Sequence, residues 1–150
     1  MNSRDRADSH PPGATGTTGP GSGELNQSFD ASTLVALRSA VAAHSADLGL
    51  SDVQVDNMVL VAHELATNAV RHAGGAGRLR LWRADGTVFC QVSDDGPGFA
   101  TPETVGLHRP GPYQTGGRGV WIARQLSNAL HVRTTARGTT VTAVMGVREP

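Results

Sequence analysis

One segment, residues 51–75, constrains the fold of this chain most, because its two ends and its buried face can all be identified from the residues. It opens with Ser51 and Gln54 at capping-box spacing, in which each side chain pairs with the other residue's backbone N–H. It closes at Gly74-Gly75, and glycine is the usual residue just past a helix. The pattern therefore predicts one long helix that ends at about Ala73.

Apolar and polar residues of this predicted helix fall on separate faces. At about 100° per residue, one arc collects the side chains expected to be buried: Met58, Val61, Ala62, Leu65 and Ala69. Glu64, Asn68 and Arg71 fall together beside that arc. Such a triplet can line a pocket, but it is equally typical of a solvated helix face. His63 is expected on the solvated face as well.

The other patterns predict an α+β fold. Residues 1–23 are rich in Gly, Pro, Ser and Thr and are predicted to be a disordered tail, which leaves residues 24–150 as one domain. In the domain we predict an edge strand (25–29), a helix capped by Asp30 (33–48), a hairpin around Asp85-Gly86 (78–83 and 87–93), a loop (100–115), a helix (118–129) and a second hairpin (130–135 and 139–145). This order predicts a two-layer sandwich, with helices on one face of a mainly antiparallel sheet. In the last helix, Trp121, Ile122 and Leu126 are expected to pack inward.

Charge and composition exclude several classes of function. The chain has 13 basic and 13 acidic residues, and all 13 basic residues are arginine. The absence of lysine excludes three classes of protein that need one: P-loop nucleotide-binding proteins, eukaryotic-type protein kinases and enzymes that form a Schiff base through lysine. The zero net charge gives no reason to expect nucleic acid or an anionic membrane as a partner. The single cysteine, Cys90, is expected to be buried, and a cytoplasmic location is expected.

Two glycine-rich segments follow the long helix, and each has a chemical interpretation and an ordinary one. Asp94 ends a predicted strand, where its carboxylate can accept the exocyclic amine of adenine, while Gly96 and Gly98 let the backbone approach the base. The same composition is common in turns. Gly116–Gly119 precedes a helix, whose free N–H groups can hold phosphates without a lysine, and Arg118 can add a bidentate contact. Thr139 opens the last strand and can reach the contact between Asp94 and the base.

Glu64 and Asn68 on the long predicted helix also have a chemical interpretation. Mg²⁺ prefers oxygen ligands, so the amide oxygen of Asn68 together with phosphate oxygens is an acceptable set. Glu64, one turn away, can accept a proton from a hydroxyl or water that attacks the metal-bound phosphate.

Taken in order, the motifs ELATNAVRHA, DDGPGF, GGRGVW and GTTVTAVM resemble the boxes of the histidine-kinase-like ATPases, also called the GHKL or Bergerat-fold superfamily. Within it, the chain is most similar to bacterial anti-sigma-factor serine kinases. The resemblance covers about residues 25–147 and implies the Bergerat ATP-binding fold. It departs from the family's pattern at Ala136, where many relatives have glycine, and after GRGV, where no later glycine follows.

The resemblance implies a role for each matching position. Asn68 would be the magnesium ligand, Glu64 the catalytic base and Asp94 the adenine-binding carboxylate. Further residues would contact the nucleotide, under a lid formed by residues 100–116: Gly96, Gly98, Gly117, Arg118, Gly119, Val120 and Thr139.

The function implied is an ATP- and Mg²⁺-dependent protein serine/threonine kinase of the anti-sigma-factor type. It would phosphorylate a small anti-anti-sigma-type protein and sequester a sigma factor, without binding nucleic acid directly or a membrane. The resemblance also leads us to expect a homodimer. Two alternatives stay open: a nucleotide-gated binding module that transfers no phosphate, and the ATP-binding half of a sensor kinase. The second is disfavoured, because no pair of dimerisation helices with a phosphorylatable histidine precedes residue 33.

Overall fold

The computed structural model describes residues 24–72, 74–96 and 118–148. Within these residues the chain forms five strands, three α-helices and a short 3-10 helix, Ala31–Thr33. The strands are β1 (Leu25–Asp30), β2 (Ala76–Ala84), β3 (Thr87–Asp94), β4 (Ala129–Thr135) and β5 (Gly138–Gly146); the helices are α1 (Leu34–Asp47), α2 (Asp52–His72) and α3 (Arg118–Leu126). The predicted tail and the predicted loop at 100–115 lie outside the described residues.

The five strands form one sheet in the order β1-β2-β3-β5-β4. Every neighbouring pair is antiparallel, which confirms the predicted sheet and both hairpins. β1 is at one edge, as expected. The register pairs Asp94, the last residue of β3, with Thr139 near the start of β5.

The ends of α1 and α2 lie within one residue of the predicted positions. The predicted end of α3 at Ala129 is wrong: the helix ends at Leu126, because the N–H of Asn128 already pairs with the carbonyl of Val144 and Ala129 begins β4. The backbone N–H of Ser51 donates to Oε1 of Gln54 at 3.1 Å, and the N–H of Gln54 donates to Oγ of Ser51 at 3.2 Å. The Gln54 amide also donates to the carbonyl of Gly146 at 2.6 Å, which fixes the start of α2 to the end of β5. Gly49 ends α1 and Gly74 follows α2, with φ values of +102° and +79° that glycine adopts without strain.

Asp30 caps the 3-10 helix that leads into α1. Its carboxylate accepts from the hydroxyl of Ser32 at 2.6 Å and from the N–H of Ser32 at 2.9 Å. These bonds favour the charged carboxylate and hold the pKa of Asp30 below its usual value. The N–H of Asp30 in turn donates to Thr33 at 2.9 Å, which completes a reciprocal cap.

The core lies between the helices and one face of the sheet. All five α2 residues that the periodicity assigned to the buried face are at most 2% exposed. They share one cluster with alternating residues of the central hairpin: Leu79, Leu81, Val88, Cys90 and Val92. This confirms the two-layer α+β sandwich. Among the described residues, no helix has the length and apolar character needed to cross a membrane.

The inward face of α3 differs from the sequence-based expectation. Val120 and Ala123 are fully buried, whereas Trp121 and Ile122 are only partly buried. Leu126 is partly buried against the core, as expected. The difference arises because α3 packs closely on α2, and a close helix contact favours the row of smaller side chains over the large ones.

Burial makes Cys90 a probe of unfolding. The thiol is completely buried, which raises its pKa to about 12 because the thiolate is disfavoured in an apolar environment. Since the thiolate is the reactive form, we expect a thiol reagent at pH 8 to label the folded protein at least about 10³-fold more slowly than the unfolded chain. The raised pKa also predicts that the free energy of unfolding falls as the pH rises from about 9 towards 12. Labelling with and without denaturant measures the first effect, and fast labelling of the folded protein would contradict it.

Candidate functional site

A pocket of about 260 Å³ opens between α2 and the first turn of α3. We call it the α2–α3 pocket. Its lining is polar: His63, Glu64, Thr67, Asn68, Arg71, Arg118 and Gly119. Five of the residues singled out from sequence are thus brought together from two segments about 50 residues apart, namely Glu64, Asn68, Arg71, Arg118 and Gly119.

The α2 contribution follows from helical spacing. Glu64, Asn68 and Arg71 are separated by four and three residues, so they lie one above another on the same side of the helix. The neighbouring Leu65 and Ala69 are 2% exposed and fix the helix against the sheet. The predicted polar rim of α2 therefore lines a pocket rather than a plain solvated face.

α3 supplies the pocket with an exposed guanidinium group and with the backbone N–H groups of its first turn. Arg118 is the first residue of α3 and is exposed, while the N–H groups of this turn have no partner within the helix itself. Two arginines, Arg71 and Arg118, outnumber the single carboxylate of Glu64 in the lining. With the positive end of the helix dipole added, the pocket has the electrostatics of an anion site.

Sequence reasoning missed two residues of this pocket. His63 lies in the lining, and its Nδ1 is buried without a hydrogen-bond partner among the described residues; the hydroxyl of Thr67 shares both properties. The expectation that His63 lies on a solvated face is therefore wrong. The signal was present, because His63 and Thr67 each precede one member of the Glu64–Asn68 pair and have the same four-residue spacing.

Asp94 lies at the carboxyl end of β3, at the edge of a second cavity of about 550 Å³. One oxygen of its carboxylate accepts from the N–H of Gly96 at 2.8 Å. A carboxylate has several acceptor positions, so this bond leaves capacity for a ligand. Thr139, its register partner on β5, is 3% exposed, and its hydroxyl lies 3.5 Å from that of Thr134.

The structure does not bring every predicted site residue into one cavity. Asp94 lines the 550 Å³ cavity, which is bounded by the ends of β1, β2 and β3, whereas Asn68 lines the α2–α3 pocket. The side chain of Val120 is buried in the core, so only its backbone can face a ligand. Gly98 and Gly117 lie outside the described residues. Across 24–72, 74–96 and 118–148 no cluster of three or more His, Cys, Asp and Glu side chains is arranged to hold a metal ion.

Solved structures with the same fold come from bacterial proteins. The structure of the RsbU and RsbW domains of Rv1364c from Mycobacterium tuberculosis matches with a TM-score of 0.63 and 21% identity, over 85% of this chain and 33% of that one. The mycobacterial sensor histidine kinase MprB matches with a TM-score of 0.54 and 18% identity, over 84% of this chain and 100% of that one. The histidine kinase domain of the blue-light-activated kinase from Erythrobacter litoralis EL346 matches with a TM-score of 0.51 and 24% identity, over 77% of this chain and 60% of that one.

These likenesses show the fold, and the chain spans about a third of the length of the Mycobacterium tuberculosis structure. A search of curated protein sequences found no match. The model of one sequence family, described as "Histidine kinase-like ATPase domain", matches residues 28–145 and so includes the whole α2–α3 pocket and Asp94. The chain therefore belongs to the histidine kinase-like ATPase domain family.

Proposed function

We propose that this chain is an ATP-dependent protein serine/threonine kinase that works as an anti-sigma-factor-type regulator in the cytoplasm. It phosphorylates a small anti-anti-sigma-type protein. When the anti-anti-sigma-type protein does not compete for binding to this chain, the chain sequesters a sigma factor. The observation that carries the proposal is the gathering of Glu64, Asn68 and Arg118 in one polar pocket of a histidine kinase-like ATPase domain. Further support comes from the four sequence motifs and from the fold shared with a structure that contains an RsbW domain.

In this proposal the α2–α3 pocket holds the phosphates of ATP. The N–H groups at the start of α3 and the guanidinium groups of Arg71 and Arg118 face the anionic oxygens. The amide oxygen of Asn68 fits Mg²⁺, which takes few protein ligands and completes its shell with phosphate and water oxygens. When bound, Mg²⁺ neutralises part of the charge on the phosphates. Asp94 accepts the adenine amine at the other end of the site, and Thr139 supports that contact.

Glu64 is the proposed base. The hydroxyl oxygen of the substrate serine forms a bond to the γ-phosphorus while the bond to the β-phosphate oxygen breaks and ADP leaves with the electron pair. The proton of the hydroxyl passes to the Glu64 carboxylate. In such a loose transition state the position of the groups and the compensation of charge matter more than covalent chemistry, so this small set of residues is sufficient.

The experiment is a transfer assay with γ-labelled ATP, Mg²⁺ and candidate anti-anti-sigma-type proteins from the source genome. We expect label on a serine or threonine of one candidate, and phosphosite mapping identifies the residue. The same candidate is tested for binding with ATP and with ADP. A candidate that binds only with Mg·ATP but takes up no label would contradict the kinase proposal and identify a nucleotide-gated binding module instead.

A further inference from the structure

The first turn of α3 touches α2 at Glu64, the proposed base. A Cβ atom placed on Gly119 would lie 3.2 Å from the backbone oxygen of Glu64, 3.2 Å from its carboxylate Oε1 and 3.5 Å from its Cβ. The two distances of 3.2 Å, both to oxygen atoms of Glu64, are shorter than ordinary van der Waals contacts of a Cβ, whereas 3.5 Å is an ordinary contact. The space between the two helices at this point therefore fits glycine and no larger residue without a shift.

Neither helix can easily move apart to make room. Val120 and Ala123, which follow Gly119 on α3, are fully buried. On α2, Glu64 lies between Val61 and Leu65, which are 0% and 2% exposed. Because a close-packed core resists displacement, both backbones are held at this separation. The Glu64 side chain, which is only partly buried, is the softest partner in the contact.

We propose that Gly119 is a positioning residue for Glu64, in addition to any contact that its backbone makes with phosphate. Its missing side chain lets the carboxylate of Glu64 lie against the first turn of α3, and this contact sets the direction in which the carboxylate points. The inference rests on the proposed function in one respect, because it takes Glu64 to be the base. The two roles of Gly119 differ in what they predict, since an alanine keeps the backbone N–H and changes only the space beside Glu64.

The Gly119→Ala variant separates the two roles. The added methyl group displaces the carboxylate by a few tenths of an ångström, and a misplaced catalytic group slows a reaction even when the substrate remains bound. We expect kcat for phosphoryl transfer to fall about tenfold, with KM for ATP within about twofold of the wild-type value. Gly86→Ala is the matched control, because a Cβ on Gly86 meets nothing within 4 Å. A raised KM with unchanged kcat would overturn the proposal and leave Gly119 as a phosphate contact alone.

A double-mutant cycle tests whether Gly119 acts through Glu64. In a Glu64→Gln background, Gly119→Ala should slow transfer by less than twofold, because the group that it positions has already been removed. A further tenfold loss in that background would contradict the positioning role.

Two NMR measurements decide the matter without activity. The side-chain carboxyl signal that disappears in Glu64→Gln belongs to Glu64. We expect Gly119→Ala to shift this signal and Gly86→Ala to leave it unchanged. In the unmodified protein, a cross-relaxation peak should join the α protons of Gly119 to the γ protons of Glu64. Absence of that peak overturns the inference even if Gly119→Ala does not fold. If the protein transfers no phosphate but both signals behave as expected, the proposed function fails and the positioning contact stands.

Discussion

Replacing Glu64 by glutamine is expected to slow phosphoryl transfer from ATP to the protein substrate by about 10²–10⁴-fold, the range typical of a lost general base. Glutamine has the same shape as glutamate but cannot accept the proton of the attacking hydroxyl. Asn68, Arg71 and Arg118 remain in place in the pocket, so the affinity for ATP should change by less than about threefold. Single-turnover transfer assays together with ATP titrations measure both quantities.

A matched control is available at Glu24. This residue directly precedes the edge strand β1 and does not line the α2–α3 pocket. Glu24→Gln removes the same charge and should leave the transfer rate unchanged. If Glu64→Gln retains more than a tenth of the wild-type rate, Glu64 is not the base.

Replacing Gly138 by alanine is expected to lower the free energy of unfolding by about 2–6 kcal/mol, the largest effect on stability that a single methyl group should have in this fold. Gly138 opens β5 with φ +150°, a conformation that other residues rarely adopt. Its Cβ would overlap the carbonyl oxygen of Asp94 and lie 2.9 Å from the carbonyl carbon of Asp94 and from the Cα of Asp95. All three atoms belong to the backbone, so the strand itself has to move. Because Asp94 ends β3 at this point, ATP affinity should fall as well.

Gly74→Ala is the matched comparison for Gly138→Ala, because it introduces the strain of a positive φ without an overlap between the added methyl group and neighbouring backbone atoms. Gly74 also has a positive φ, +79°, but a Cβ there meets nothing within 4 Å. It should cost only about 1–2 kcal/mol for the left-handed conformation. Urea denaturation of the three proteins measures the difference. Equal losses in the two variants would show that β3 and β5 do not approach each other as closely as described.

Much of the fold could be predicted because the signals were local. The capping box of Ser51 and Gln54, the glycines after α1 and α2 and the Asp85-Gly86 turn each act within a few residues, and each has the expected geometry. The buried face of α2 could be predicted because one apolar arc persists over about three turns, from Met58 to Ala69. A long amphipathic helix leaves one way to pack on a sheet.

The predictions that failed concern contacts between distant segments. In α3, large side chains were expected to point inward, but Val120 and Ala123 are buried because the approach to α2 at Gly119 decides which row faces inward. His63 was assigned to solvent because the long helix was considered alone, without the start of α3 that encloses the pocket. Four-residue spacing placed Glu64 and Asn68 on one side of α2, and the resemblance implied that Arg118 belongs to the same site. The fold shows all three in the lining of one pocket.

The most direct test of the central claim, that the α2–α3 pocket binds Mg·ATP through Asn68, is a calorimetric titration of ATP into the wild-type protein and into Asn68→Ala, each with Mg²⁺ and with EDTA. We predict that Mg²⁺ raises the affinity of the wild-type protein at least about tenfold, the worth of one good charge-assisted contact, and that it has no effect on Asn68→Ala. Absence of ATP binding by the wild-type protein, or the same Mg²⁺ effect in both proteins, would contradict the account.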